Sequence, residues 1–264
     1  MVLSIMAQGI AILGGTGWLG LALGRNLLAR GLPPEALRVL NRRGPTADYD
    51  SFPGVHWATD LADLIAGAGV LVLSVRPEDY HIPAPQGFYG LVISFMAGVP
   101  LERLARDWPR ATIARAMPGG GAQEGQAHVP WCAGEIPAAA ATRVAGVLGA
   151  IGMVDRVADE TALAYMSALS GSGAAYPALM AQAMYHDAIR RGIAPDVAWR
   201  AVRSVVCGAP ALFTQGPEQA AALLESYHGY RGVTAAGLTA AEASGFAEAI
   251  TAALEVATEK ALNF

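Results

Sequence analysis

The stretch from Ile10 to Gly20, Ile-Ala-Ile-Leu-Gly-Gly-Thr-Gly-Trp-Leu-Gly, leaves few folds open to this chain. An apolar run with the character of a buried strand stops at Gly14, and Gly15-Thr16-Gly17-Trp18-Leu19-Gly20 then fits G-x-G-x-x-G. Leu21 to Arg30 follows with the apolar spacing of a helix packed on a sheet. Strand, glycine turn and helix in that order form the fingerprint of a dinucleotide-binding βαβ unit. In that fingerprint Gly15 permits the tight turn, Gly17 admits a pyrophosphate to the backbone, and Gly20 lets the helix close on the strand. Unpaired N–H groups of the first helical turn, at Trp18 and Leu19, then face phosphate.

The next strand bears on which dinucleotide binds. An NAD site ends its second strand in an acid that accepts from the ribose 2′-hydroxyl, whereas a 2′-phosphate calls for a cation. Here Leu37-Arg38-Val39-Leu40 leads into Asn41-Arg42-Arg43, with no acid. NADP(H) is therefore favoured over NAD(H), with Arg42 or Arg43 on the 2′-phosphate and Asn41 hydrogen-bonding nearby. The other reading of these arginines is an ordinary solvated loop end.

Further along, Val55 to Trp57 reads as a short third strand and Leu61 to Ile65 as a short helix. Val70 to Val75 is the continuous apolar run of a parallel strand buried on both faces, and it stops at Arg76-Pro77. Ligands of open α/β sheets sit outside the carboxyl ends of the strands, so Ser74, Val75, Arg76 and Pro77 should border the nicotinamide. Leu91 to Ser94 repeats the pattern and brings Ala97 and Gly98 to the same edge. Leu101 to Arg106 reads as a helix and Thr112 to Ala116 as a strand. Met117-Pro118-Gly119-Gly120-Gly121 follows as a loop that serves either as a hinge or as a place where a ligand nears the main chain. Strands at Val129 to Cys132 and Gly152 to Val154, with a helix from Pro137 to Leu148 between them, complete an α/β Rossmann domain. Strand-like runs then disappear, which divides the chain into residues 1–156 and 157–264. Helices are expected over 161–169, 173–191, 195–213, 218–225 and 240–262.

Hydrophobic residues make up 53% of the 264 and charged residues only 15%, so the helical half should carry closely packed helices or a large oligomer interface. No apolar run reaches the roughly 18 residues of a membrane span. Met1 to Leu13 lacks a basic leader and merges into the first strand, so a cytoplasmic protein without a signal peptide is expected. A net charge of −4 offers no footprint for nucleic acid. Two distant cysteines and five scattered histidines suggest neither a disulfide scaffold nor a metal site.

Leu169-Ser170-Gly171-Ser172-Gly173-Ala174-Ala175-Tyr176 resembles the Leu-Ser-Gly-Ser-Gly-Pro-Ala-Tyr signature of the pyrroline-5-carboxylate reductases, the last enzymes of proline biosynthesis. Asn41-Arg42, Val75-Arg76-Pro77, Ser94 to Gly98, Arg115 to Pro118, Gly237-Leu238 and Gly245-Phe246 fall in order where that family has close equivalents. The resemblance covers nearly the whole chain. It implies a Rossmann domain followed by an all-α helical dimerisation domain that interlocks with its partner's, forming a homodimer or a higher assembly of dimers. It also implies reduction of a cyclic imine by NAD(P)H. Two loops depart from the family. Met-Pro-Asn-Thr-Pro is replaced by Met117 to Gly121, and Ser-Pro-Gly-Gly-Thr-Thr, the loop that cradles the substrate carboxylate, by Gly229-Tyr230-Arg231-Gly232-Val233-Thr234.

On this resemblance Met117, Gly119 and Gly120 border the substrate, Thr234 and neighbouring N–H groups with Gly232 bind its carboxylate, and Ser170 and Ser172 shape the pocket. Arg231 either pairs a carboxylate bidentately or points to water, and Tyr230 either narrows the pocket or caps a helix. Ser170 to Gly173 serve alternatively as a tight helix start, and Thr234 as an N-cap. No carboxylate pair, catalytic triad or metal cluster is apparent, which suits hydride transfer from a cofactor. The altered loops leave open a reductase for a different cyclic imine, or a catalytically silent NADP-binding protein.

Overall fold

The computed structural model describes residues 9–81 and 87–263, so the expectation about Met1 to Gln8 lies outside the described residues. The described residues form two compact units, one within 9–172 together with 257–263, the other 173–256.

The first unit is built on eight strands: β1 (Gly9–Leu13), β2 (Leu37–Leu40), β3 (His56–Trp57), β4 (Ala68–Leu73), β5 (Leu91–Ser94), β6 (Thr112–Ala116), β7 (Ala127–Cys132) and β8 (Gly152–Arg156). They form one sheet in the order β3-β2-β1-β4-β5-β6-β7-β8. All neighbours are parallel except β6 and β7, which run antiparallel. From β1 the chain winds outward to β3, then returns to place β4 on the other side of β1. That reversal is the switch point at which such sheets bind ligands.

Alternation along the strands sends side chains to two cores. Ile10, Ile12, Val70, Val72 and Ile93 meet Leu23 and Leu27 of α1 (Trp18–Ala29) and Val144, Val147 and Leu148 of α4 (Ala138–Leu148) on one face. Ala11, Leu71, Leu73 and Val92 meet Leu64 of α2 (Leu61–Ile65) and Leu104 of α3 (Leu101–Asp107) on the other. Burial on both faces is why the central strands read as unbroken Val/Leu/Ile runs, each large side chain contributing about 1.5–3 kcal/mol. α5 (Glu160–Met166) is capped by the Asp159 carboxylate, which accepts from the Ala162 N–H at 2.8 Å, and it leads into a π-turn over Ser167–Gly171.

The second unit holds α6 (Ala175–Arg190), α7 (Pro195–Arg203), α8 (Pro217–Gly229), α9 (Val233–Ala243) and the start of α10 (Phe246–Leu262). Three expectations about helices need correction. A single helix over 240–262 is replaced by two, because Gly245 turns the chain with φ at 79° and helix already begins at Val233. The helix expected over 195–213 ends at Arg203, since Gly208 and Pro210 cannot sustain regular helical bonding. The helix expected over 218–225 runs from Pro217 to Gly229, proline being favoured in the first turn.

Candidate active site

Hydrogen bonds that continue past the strand ends gather the loops at one edge of the sheet. Gly14 N–H donates to Leu40 O, Ser74 N–H to Leu13 O and Phe95 N–H to Leu73 O, at 2.7 to 2.9 Å. Gly17 N–H donates to Gly14 O at 3.0 Å and closes a tight turn with Gly15 inside it, while the positive φ, 85°, belongs to Gly14. Gly15 is required for another reason: a Cβ there would lie 2.7 Å from the Val39 side chain. A Cβ on Gly20 would lie 2.4 Å from Gly14 O, so the expected close approach of helix to strand is present. Gly17 occupies the N-cap of α1 without a side-chain cap, which leaves the first-turn N–H groups open to an anion.

Asn41 leaves the end of β2 and donates from Nδ2 to Thr16 Oγ1 at 2.8 Å, tying it to the glycine turn. Its Oδ1 is buried and has no partner among the described residues. Arg42 forms a two-pronged ion pair with Asp79, at 3.0 and 3.1 Å, in the short 3₁₀ turn that follows Pro77. Arg43 is exposed. Tyr49, buried and with its hydroxyl pKa pushed up by that burial, donates to Gly15 O at 2.8 Å and braces the turn from beneath.

At the carboxyl ends of β5 and β6 lies a cavity of about 200 Å³ lined by Ala97, Gly98, Arg115, Met117, Glu160 and Ser167, among others, and also by Ala261 and Leu262. Arg115 is 8% exposed, pairs with Glu160 and donates to Met96 O at 3.2 Å, while its Nε has no partner among the described residues. Sequence reasoning missed this ion pair, because Arg115 and Glu160 belong to different elements far apart in the chain.

β7 runs back against β6, so its first residues stand at the same edge. Gly119 N–H donates to His128 O at 3.0 Å, holding the glycine loop, and a Cβ on Gly119 would meet Ser170 O at 2.6 Å. The His128 ring bonds Ser170 Oγ through Nδ1 at 2.9 Å and Asp155 Oδ2 through Nε2 at 3.0 Å. A Ser-His-Asp chain thus exists where none was expected. Its members lie on β7, β8 and the π-turn, without any sequence spacing that would signal them.

Ser172 is exposed at the end of the π-turn, its N–H donating to Ser167 O at 2.9 Å. Thr234, Arg231 and Gly232 belong to the second unit. Gly232, not Thr234, is the N-cap of α9, and Thr234 sits in the first turn. Tyr230 is the C-cap of α8 and is 83% exposed. Arg231 is exposed with φ at 55°, the one non-glycine residue in the left-handed region among the described residues. Among the described residues, no group of three or more His, Cys, Asp or Glu side chains could hold a metal ion, and no helix is long and apolar enough to cross a membrane.

Residues 160–264 match the family described as pyrroline-5-carboxylate reductase dimerisation. A pyrroline-5-carboxylate reductase of Synechocystis sp. is 28% identical, with 96% of each chain covered. The solved structure of a pyrroline-5-carboxylate reductase from Coxiella burnetii superposes with a TM-score of 0.85 at 25% identity, over 96% of this chain and 97% of the other. A Plasmodium falciparum pyrroline carboxylate reductase with NADP bound shares the fold, with a TM-score of 0.82 at 18% identity and 97% of both chains covered.

Proposed function

We propose that the chain is a pyrroline-5-carboxylate reductase and that it reduces 1-pyrroline-5-carboxylate to L-proline with NADPH. The observation that carries this reading is the match over 96% of both chains to a reductase of that name, joined to a dimerisation family over 160–264. A nicotinamide dinucleotide, when bound, would supply the hydride for the imine carbon.

The residues present fit such a cofactor. Gly15, Gly17 and Gly20 keep side chains out of the turn, and the open N–H groups of Trp18 and Leu19 face a pyrophosphate. The orphaned Asn41 Oδ1 gains a partner from a ribose hydroxyl. Arg42 and Arg43 hold the 2′-phosphate, which sets the preference for NADPH over NADH, and Asp79 aims the Arg42 fork. Ser74, Val75, Arg76, Pro77, Ala97 and Gly98 border the nicotinamide.

For the substrate, Met117, Gly119, Gly120, Ser170 and Ser172 are the candidates of the first unit, and in the second unit Gly232, Thr234 and the first-turn N–H groups of α9 are the candidates for a carboxylate. Arg231 adds a cation there. We take residues 157–264 as the dimerisation and substrate region. Its exposed Leu179, Trp199, Val233, Phe246 and Val256 give a homodimer an apolar surface to bury, and we extend the proposal to a higher assembly of dimers, in the cytoplasm.

Loss of reduced-nicotinamide absorbance with purified protein, NADPH and 1-pyrroline-5-carboxylate tests the reading, with the six-membered analogue alongside. Rapid oxidation with the five-membered acid is expected. Oxidation with the six-membered acid alone moves the assignment to a reductase for a different cyclic imine, the reading favoured by Arg231 and the triple glycine. Tight NADPH binding with no turnover on either marks a silent NADP-binding protein.

A further inference from the structure

Ser170 and His128 hold more than a packing contact. All the groups involved lie in the first unit, and His128 stands past the carboxyl end of β6, where open α/β sheets bind their ligands. One residue anchors both walls of that edge: its carbonyl accepts from Gly119, and its ring holds the Ser170 hydroxyl. Asp155, on the neighbouring strand and 61% exposed, braces the far side of a ring that is itself only 22% exposed.

The hydrogen bonds also decide what Ser170 can offer. Its hydroxyl lies 3.0 Å from Met166 O and 2.9 Å from His128 Nδ1. A hydroxyl has one hydrogen, and that hydrogen goes to the carbonyl when Nδ1 carries a proton or to Nδ1 when it does not. In either arrangement the donor is spent inside the protein, and a free lone pair is what remains for a ligand. Such a group repels a carboxylate and suits an N–H.

We propose that His128, braced by Asp155, is the positioning residue that fixes the Ser170 hydroxyl as the hydrogen-bond acceptor for the ring N–H of the substrate. The inference rests on the reductase reading and deepens it: Ser170 serves the nitrogen end of the ring, and the carboxylate is held elsewhere. The substrate enters as its protonated imine, the proton taken from water: the ring carbon gains the hydride, the nitrogen keeps the proton it already carries and becomes the neutral amine, and Ser170 orients that N–H without itself gaining or losing a bond.

The test compares His128→Ala, Ser170→Ala and the double variant in steady-state kinetics. Each single change should lower kcat about tenfold for the imine, with NADPH affinity kept within about twofold. The double variant should be no worse than either single, because both changes act through one hydroxyl. His128→Asn, whose amide reaches the Nδ1 position, should restore most of the loss, whereas His128→Gln, whose amide reaches toward Asp155, should not. Additive losses, or rescue by Gln in place of Asn, overturn the proposal.

A wild type that reduces no imine defeats the reductase reading by itself. The His128 ring nitrogens then decide the inference separately: in ¹⁵N NMR, Nδ1 should move on Ser170→Ala and on addition of pyrrolidine, a ring amine with no carboxylate. A resonance indifferent to pyrrolidine overturns it.

Discussion

A methyl group on Gly20 would meet the Gly14 carbonyl oxygen at 2.4 Å, and the obstacle is backbone that cannot swing aside. Gly20→Ala should therefore push α1 away from β1 and weaken NADPH binding by at least about tenfold, or 1.4 kcal/mol, as read by fluorescence titration. Fold stability should fall less, since the other contacts of α1 survive. Arg42 and Arg43 are tested by selectivity. With both changed to Ala, NADPH affinity should drop on the order of tenfold while NADH affinity stays within a factor of about two, because only one of the two carries the 2′-phosphate. Equal losses remove the assignment. The proposed roles of these residues come from local order alone: strand, glycines, helix, then a strand end with cations in place of an acid. Even so, the positive φ lies at Gly14 and not at Gly15. Two adjacent glycines look alike until the turn is built.

At the scale of elements, α2 shows how side chains from separate segments secure a short helix. Asp63 accepts from the Thr59 N–H at 3.0 Å, contacts His56 at 2.8 Å and pairs with Arg38, and these bonds, the Thr59 bond first, hold its carboxyl below the usual range. A depressed folded-state pKa means that the stabilisation is present above the ordinary carboxylate range and is lost as pH falls through the lower, folded-state value. Asp63→Asn should accordingly lower the thermal midpoint at neutral pH and leave it nearly unchanged in strong acid, a pattern that differential scanning calorimetry at several pH values reads directly. Strand positions were readable because burial on both faces demands continuous apolar runs. Helix ends in the second unit were not, because alanine-rich sequence is compatible with helix nearly everywhere. The breaks at Gly245 and around Pro210 depend on which of several glycines and prolines the packing uses.

On the scale of the whole molecule, the second unit by itself buries little. Ala181, Ala198 and Val202 are its buried hydrophobic residues among those described, while Leu179 and Val256 remain more than 60% exposed. A helical assembly of this composition gains its stability by burying that surface against another copy. The thermal midpoint should therefore rise with protein concentration, since association stabilises the folded state by mass action. Val256→Glu should reduce both the dimer population in sedimentation velocity and the concentration dependence. A midpoint indifferent to concentration, with a monomeric wild type, would remove the dimer.

The sequence by itself determined what depends on neighbours along the chain: the dinucleotide turn, the alternation of strands and helices, the cations after β2, and the family likeness carried by Leu169 to Tyr176. Tertiary structure decided what depends on elements that meet only after the sheet has formed. Reversal of the chain at β7 carries His128 past the carboxyl end of β6, parallel pairing of β8 brings Asp155 beside it, and the π-turn sets Ser170 against its ring. Arg115 and Glu160 meet for the same reason. None of these pairs has a sequence spacing to betray it, because hydrogen bonds between strands and turns are set by register and direction in the sheet, and those are properties of the folded whole.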